Sequence, residues 1–151
     1  VNYTLKLNSL NAKLRVGYKH ELNQIEQYLD SAFNHQMVNA GFYISKKGYT
    51  GFAKGNYIFS GPNSGDYAIE INNSYTKRIA YNLFKSPFVV KLNAAIEKRH
   101  PDFIYNTWYS NHFAWNNSFV PTEKMQGLFS IGTQDKRFEI GAVFQSVKNM
   151  L

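Results

Sequence analysis

Residues Leu10 to Leu22 read Leu-Asn-Ala-Lys-Leu-Arg-Val-Gly-Tyr-Lys-His-Glu-Leu. The even positions are Leu10, Ala12, Leu14, Val16, Tyr18, His20 and Leu22; the odd ones are Asn11, Lys13, Arg15, Gly17, Lys19 and Glu21. Side chains alternate across a β-strand, so this order puts one face in an apolar medium and the other against water. A helix of 3.6 residues per turn scatters the same residues round its whole circumference. The stretch is a strand.

The pattern recurs along the chain. Val38, Ala40, Phe42 and Ile44 alternate with Asn39, Gly41, Tyr43 and Ser45. Past the turn signal Lys46-Lys47-Gly48 the phase resumes with Tyr49, Gly51, Ala53, Gly55, Tyr57 and Phe59. The composition of Ser60 to Asp66 marks another turn. Tyr67, Ile69 and Ile71 follow, then Phe88, Val90, Leu92, Ala94 and Ile96. The last such runs are Met125, Gly127, Phe129, Ile131 and, beyond Thr133 to Lys136, Phe138, Ile140, Ala142 and Phe144. This rhythm predicts seven or eight antiparallel strands of about ten residues, a length that crosses a bilayer core when tilted. Strands in soluble proteins average nearer five or six. Asn23–Gln36, as a long loop or a short helix, and Arg99–Lys124 are expected to be irregular. A chain of 151 residues is one domain, 1–151, or part of a larger one.

Composition narrows the classes. Aromatic residues make up 17% and charged residues 18%, the latter below the globular norm of about a quarter. Girdles of aromatic rings at both interfaces give membrane barrels such a balance. The formal charge is +7, but its longest basic clusters are pairs such as Lys46-Lys47, Lys77-Arg78 and Lys98-Arg99. That spread argues against nucleic acid as a partner. The aromatic-basic run Tyr49 to Lys54 resembles a base-stacking platform, yet aromatics recur in nearly every strand, which favours structural use. With no Cys there is no disulfide, thiolate metal site or cysteine nucleophile. Apolar runs fall far short of a spanning helix. The chain starts at Val1 with no visible signal peptide, as expected of a mature protein or a fragment.

Alternation does not say which face points inward. A soluble up-and-down barrel, lipocalin-like and holding an apolar ligand, turns its apolar face in. A membrane barrel turns it out, towards lipid. Long strands, mixed charges with Asn, Ser and Gly on the polar faces, and aromatics near segment ends (Tyr18, Tyr49, Tyr57, Phe59, Tyr67, Tyr75, Phe88) favour the membrane arrangement. The expected fold is therefore all-β, an antiparallel up-and-down transmembrane β-barrel or a segment of one.

A longer motif points the same way. Ile96 to Tyr105 ends a strand in Arg99-His100-Pro101, and an aromatic stretch leads on to Ser110-Asn111-His112-Phe113-Ala114-Trp115-Asn116-Asn117-Ser118-Phe119. This resembles the putative porin family of Bacteroidota outer membranes, whose signature is Ser-Asn-His-Phe-x-Trp-Asn-x-x-Phe before a strand pair. Gly65-Asp66-Tyr67, entering a strand, resembles it too. The specific likeness lies between about 60 and 145. It implies a large barrel of several hundred residues in a Gram-negative outer membrane, of which this chain would be a piece. Length also permits a complete eight-stranded barrel.

The candidate residues follow. Lys13, Arg15, Lys19, Lys54, Glu70, Lys91 and Glu97 sit on polar faces and would line a lumen, favouring anions. Ser110, Asn111, His112, Phe113, Trp115, Asn116 and Phe119 form the family-like loop motif, with His112 and Trp115 packing near a membrane interface. As metal ligands, Glu97, His100, Asp102 and His112 match no compact spacing. Ser110-Asn111-His112 lacks a nucleophile elbow or paired carboxylates, so no catalysis and no cofactor are expected, though a barrel enzyme with its site at 99–119 is a third option. The expected function is a passive porin-like channel or a structural part of an envelope complex. Its partners would be outer-membrane lipid, small solutes and other envelope proteins.

Overall fold

The structure is a computed structural model, and it describes residues 1–7, 11–25, 31–78, 86–101, 107–109 and 112–149. Among these there are only strands, turns and irregular segments, with no helix. In chain order the strands are β1 (Asn2–Leu7), β2 (Ala12–Ile25), β3 (Ser31–Lys46), β4 (Tyr49–Ser60), β5 (Tyr67–Lys77), β6 (Phe88–Arg99), β7 (Thr107–Tyr109), β8 (Ala114–Asn116), β9 (Thr122–Thr133) and β10 (Glu139–Lys148).

Eight of them form one antiparallel sheet in the order β1-β2-β3-β4-β5-β6-β9-β10, each strand beside its neighbour in sequence. Only the hairpin of β7 and β8 stands apart, inserted between β6 and β9. The up-and-down topology is the one the alternation predicts. The sheet is not closed: β1 and β10 are its edges.

Register keeps the two faces distinct across the whole width. Leu5 stands opposite Leu14, Leu14 opposite Phe42, Phe42 opposite Ala53 and Ala53 opposite Ile71. The row runs on through Ala94 and Gly127 to Phe144. A one-residue slip at any pairing would carry an entire apolar set to the other face, so this agreement fixes the register. The β3–β4 connection is a two-residue turn in which Lys47 (φ 44°) and Gly48 (φ 83°) are both left-handed. Two such residues match the twist of the flanking strands, and glycine carries the second at no steric cost.

The region 23–36 departs from expectation. Residues 23–25 and 31–36 belong to β2 and β3, paired as far as Ile25 opposite Ser31. There the pairing no longer sorts by polarity, Leu22 standing opposite Asn34. The backbone ladder alone extends the hairpin, which is why periodicity missed it. A register shift between Gln36 and Met37 against β4 marks the place where the ordered alternation ends. In the other irregular stretch the structure adds β7, β8 and the first residues of β9.

The sheet has almost no core. Among the described residues the buried apolar ones are Ala12, at 3% exposure, and Pro101, and no large side chain is fully buried. Leu14, Phe42, Ile69, Leu92, Phe129 and Ile140 are all exposed on a single face.

Candidate functional site: the polar face and its hollow

Every member of the expected lumen set lies on the polar face. Lys13, Arg15 and Lys19 come from β2, Lys54 from β4, Glu70 from β5, and Lys91 and Glu97 from β6. Several are brought into cross-strand pairs that the sequence did not reveal. Lys54 stands opposite Glu70 and its ammonium lies 2.6 Å from the carboxylate, which also accepts a bond of 2.7 Å from the Asn72 amide. Lys91 reaches past β9 to Glu139 at 2.8 Å, and the Ser130 hydroxyl donates to the same oxygen at 2.8 Å. Lys19 pairs with Glu21, two residues on along the same face. Opposite charges on neighbouring strands bind each other and stiffen the sheet without needing a dry surround.

The same face holds a hollow of about 710 Å³, to which Thr4 of β1 and Gln126 of β9 both contribute. In a flat sheet those two strands would lie six spacings apart, about 29 Å at the usual separation. The sheet therefore curls so that its polar face is concave. Twist makes any such sheet saddle-shaped, and a shallower, more open furrow of about 620 Å³ lies over Ala40 and Gly55 on the apolar face. It spans fewer strands, from Val16 of β2 to Ile96 of β6.

The apolar face is banded. Tyr49 stands opposite Tyr75 near one end, and Tyr57 opposite Tyr67 near the other. Eight residues separate the two rows on each strand, about 27 Å along it. Between them β4 and β5 place Gly51, Ala53, Gly55, Ile69, Ile71 and Asn73. Asn73, the polar member of that set, accepts a 2.6 Å bond from the Tyr49 hydroxyl, which satisfies its carbonyl without water.

At the Tyr57–Tyr67 end the structure joins two pieces of sequence that lie 34 residues apart. Asp66 is 6% exposed, and its carboxylate accepts bonds from the His100 backbone N–H at 2.9 and 3.0 Å. His100 Nδ1 lies 2.5 Å from the same carboxylate. Asp66 was not among the expected site residues. The one signal for it in the sequence is that Gly65-Asp66 and His100-Pro101 both fall in family-like stretches. The contact fastens the β4–β5 turn to the root of the segment that carries β7 and β8.

Of the loop motif, Ser110, Asn111 and likewise Asp102 lie outside the described residues. His112, Phe113, Trp115, Asn116 and Phe119 are exposed, on or beside β8, whose pairing sets Trp115 opposite Trp108. The described part of the motif thus lies on or beside a small hairpin that is not hydrogen-bonded into the main sheet.

A family model described as "Putative porin" matches residues 2–151. The chain belongs to that family. The match reaches well beyond the 60–145 stretch in which the signature residues fall, so the family's sequence pattern includes β1 to β4. No curated protein and no solved structure matches it. At the level of the family this porin-family chain is a porin-like outer-membrane β-barrel protein, and its eight-stranded sheet is what a segment of such a barrel looks like.

Proposed function

We propose that the chain forms part or all of a β-barrel in a Gram-negative outer membrane, acting as a passive channel whose wall is the sheet described above. The observation that carries this reading is the sense of curvature: the charged face is concave and the face bearing Leu14, Phe42, Leu92 and Phe129 is its back. In a barrel closed in that sense, apolar side chains meet lipid, backbone groups are satisfied by pairing, and water runs inside. A lipocalin-like soluble barrel needs the opposite curvature. No step of this function asks for catalysis or a cofactor. The partners are lipid on the outside and small solutes within, and a role as a structural member of an envelope complex is the reading left if no current passes.

Extraction and electrophoresis test it. The full chain, expressed with its native flanking sequence, should resist carbonate extraction, require detergent, and migrate faster on gels before boiling than after. Reconstituted in planar bilayers it should conduct. Recovery of the folded chain in the aqueous fraction would overturn the proposal.

A further inference from the structure

We propose that the hollow on the polar face is a binding site for a ring-bearing organic anion, its acid group held by Lys13 and Arg15 and its ring by Tyr43 and Phe52. The inference rests on the channel reading, which makes this face a wet one.

Register places the parts. Lys13 stands opposite Tyr43, and Tyr43 opposite Phe52. Arg15 stands opposite Gly41, and Gly41 opposite Lys54. All six line the hollow. Gly41 is the open floor of the arrangement: a Cβ there would meet nothing closer than the Ala53 carbonyl at 3.9 Å. The gap it leaves is bounded on one side by Arg15 and on the other by Lys54, with Tyr43 and Asn39 along the strand.

The charge distribution singles out this end of the face. Glu70, Glu139 and Glu21 are each matched to a lysine. Beside Lys13 and Arg15 no carboxylate stands at any paired position; across on β1 their partners are Lys6 and Thr4. Like charges set directly opposite each other, as Lys6 and Lys13 are, weaken a strand pair. Arg15, which lines the hollow with Lys13, adds a further cation on the same strand. An anion bound between them relieves the repulsion, and arginine's fork suits carboxylate or phosphate oxygens.

The aromatic pair adds the second half. Tyr43 is an aromatic exposed beside Lys13 on this face, and Phe52 shares its ring with the Lys54 ammonium 5.8 Å above it. A small inorganic anion gains nothing from these rings. A molecule with a ring attached to its acid group covers them and gains apolar contact as well.

Titration calorimetry on the full chain in detergent tests the site directly, with phenyl phosphate, inorganic phosphate and phenol as probes. Phenyl phosphate should bind more tightly than either of the others. The pair K13Q/R15Q should weaken it about tenfold, the size expected for losing two charge-assisted contacts. Gly41→Ile keeps every charge and needs no unusual backbone, and by filling the floor it should cost about as much. The pair K136Q/K148Q removes two charges outside the hollow and should leave binding unchanged. The site is overturned if phenyl phosphate binds no better than inorganic phosphate, if both hollow variants bind like the native chain, or if the outside pair loses as much as the inside one. Conductance is read separately: a chain that conducts without binding loses only this inference, and one that binds without conducting loses only the channel.

Discussion

The two faces of the sheet share one backbone ladder and contrast in what satisfies them. On the concave face, polar groups find each other across strands: Lys54 with Glu70, Lys91 and Ser130 with Glu139. On the convex face, large apolar side chains stand opposite one another along rows and are left exposed, with Ala12 the exception buried among them. A soluble sheet of this size hides one face against a second layer. Among the described residues no second layer covers either face, and in the proposed barrel the convex face would meet lipid.

Adjacent residues of β6 break the comparison most sharply. Leu92 is on the convex face and 55% exposed; Asn93 is on the concave one. Leu92→Arg should cost about 2–4 kcal/mol of folding free energy in lipid vesicles, the charge lying near mid-membrane. Asn93→Arg should stay within about 0.5 kcal/mol of the native value. Urea unfolding from vesicles, followed by Trp fluorescence, reads both. Equal effects would mean that the two faces do not see different solvents.

The next effect tests where the contrast stops. Beyond the tyrosine row the sheet is held by a turn contact, since Asp66 accepts three bonds from His100. Removing a buried carboxylate that accepts such bonds leaves two donors unmatched, so Asp66→Ala should cost about 1.5–3 kcal/mol. Asp66→Asn, which keeps an acceptor, should cost less. Hydrogen exchange of the amides at the end of β6 should quicken in the alanine variant while those of β1 and β2 stay as they were. Uniform quickening throughout the sheet would show that Asp66 supports the barrel as a whole, not one end.

How far the sequence could take this depends on which force places each residue. Alternation follows the difference between the two faces, so it was readable wherever a strand crosses between the two aromatic rows, as in Ala12–Tyr18 and Val90–Ile96. Outside those rows it fails. Residues 23–25 and 31–36 are strand by backbone pairing, and Leu22 opposite Asn34 is no match of polarity. Face membership of Lys13, Lys54, Glu70 and Lys91 was legible for the same reason. Their partners were not, because Glu139 is 48 residues from Lys91 and His100 is 34 from Asp66, and only register brings them together. The family-like signature at 110–119 was legible as a motif, yet its hairpin carries none of the charged pairs.

The smallest effect belongs to the concave face alone. Lys54 and Glu70 are a directly opposed pair at 2.6 Å with more than a third of each side chain exposed. If that face is wet, water and ions screen the attraction, and a double-mutant cycle with Lys54→Gln and Glu70→Gln should return a coupling of about 0.2–1 kcal/mol. The coupling should shrink as salt rises from about 0.05 to about 1 M, because the screening length falls from over 10 Å to about 3 Å. A dry interior predicts the reverse on both counts: a coupling of several kcal/mol, since a lone buried charge is left behind in each single mutant, and no response to salt. The same cycle that measures one ion pair therefore reports which way the barrel faces.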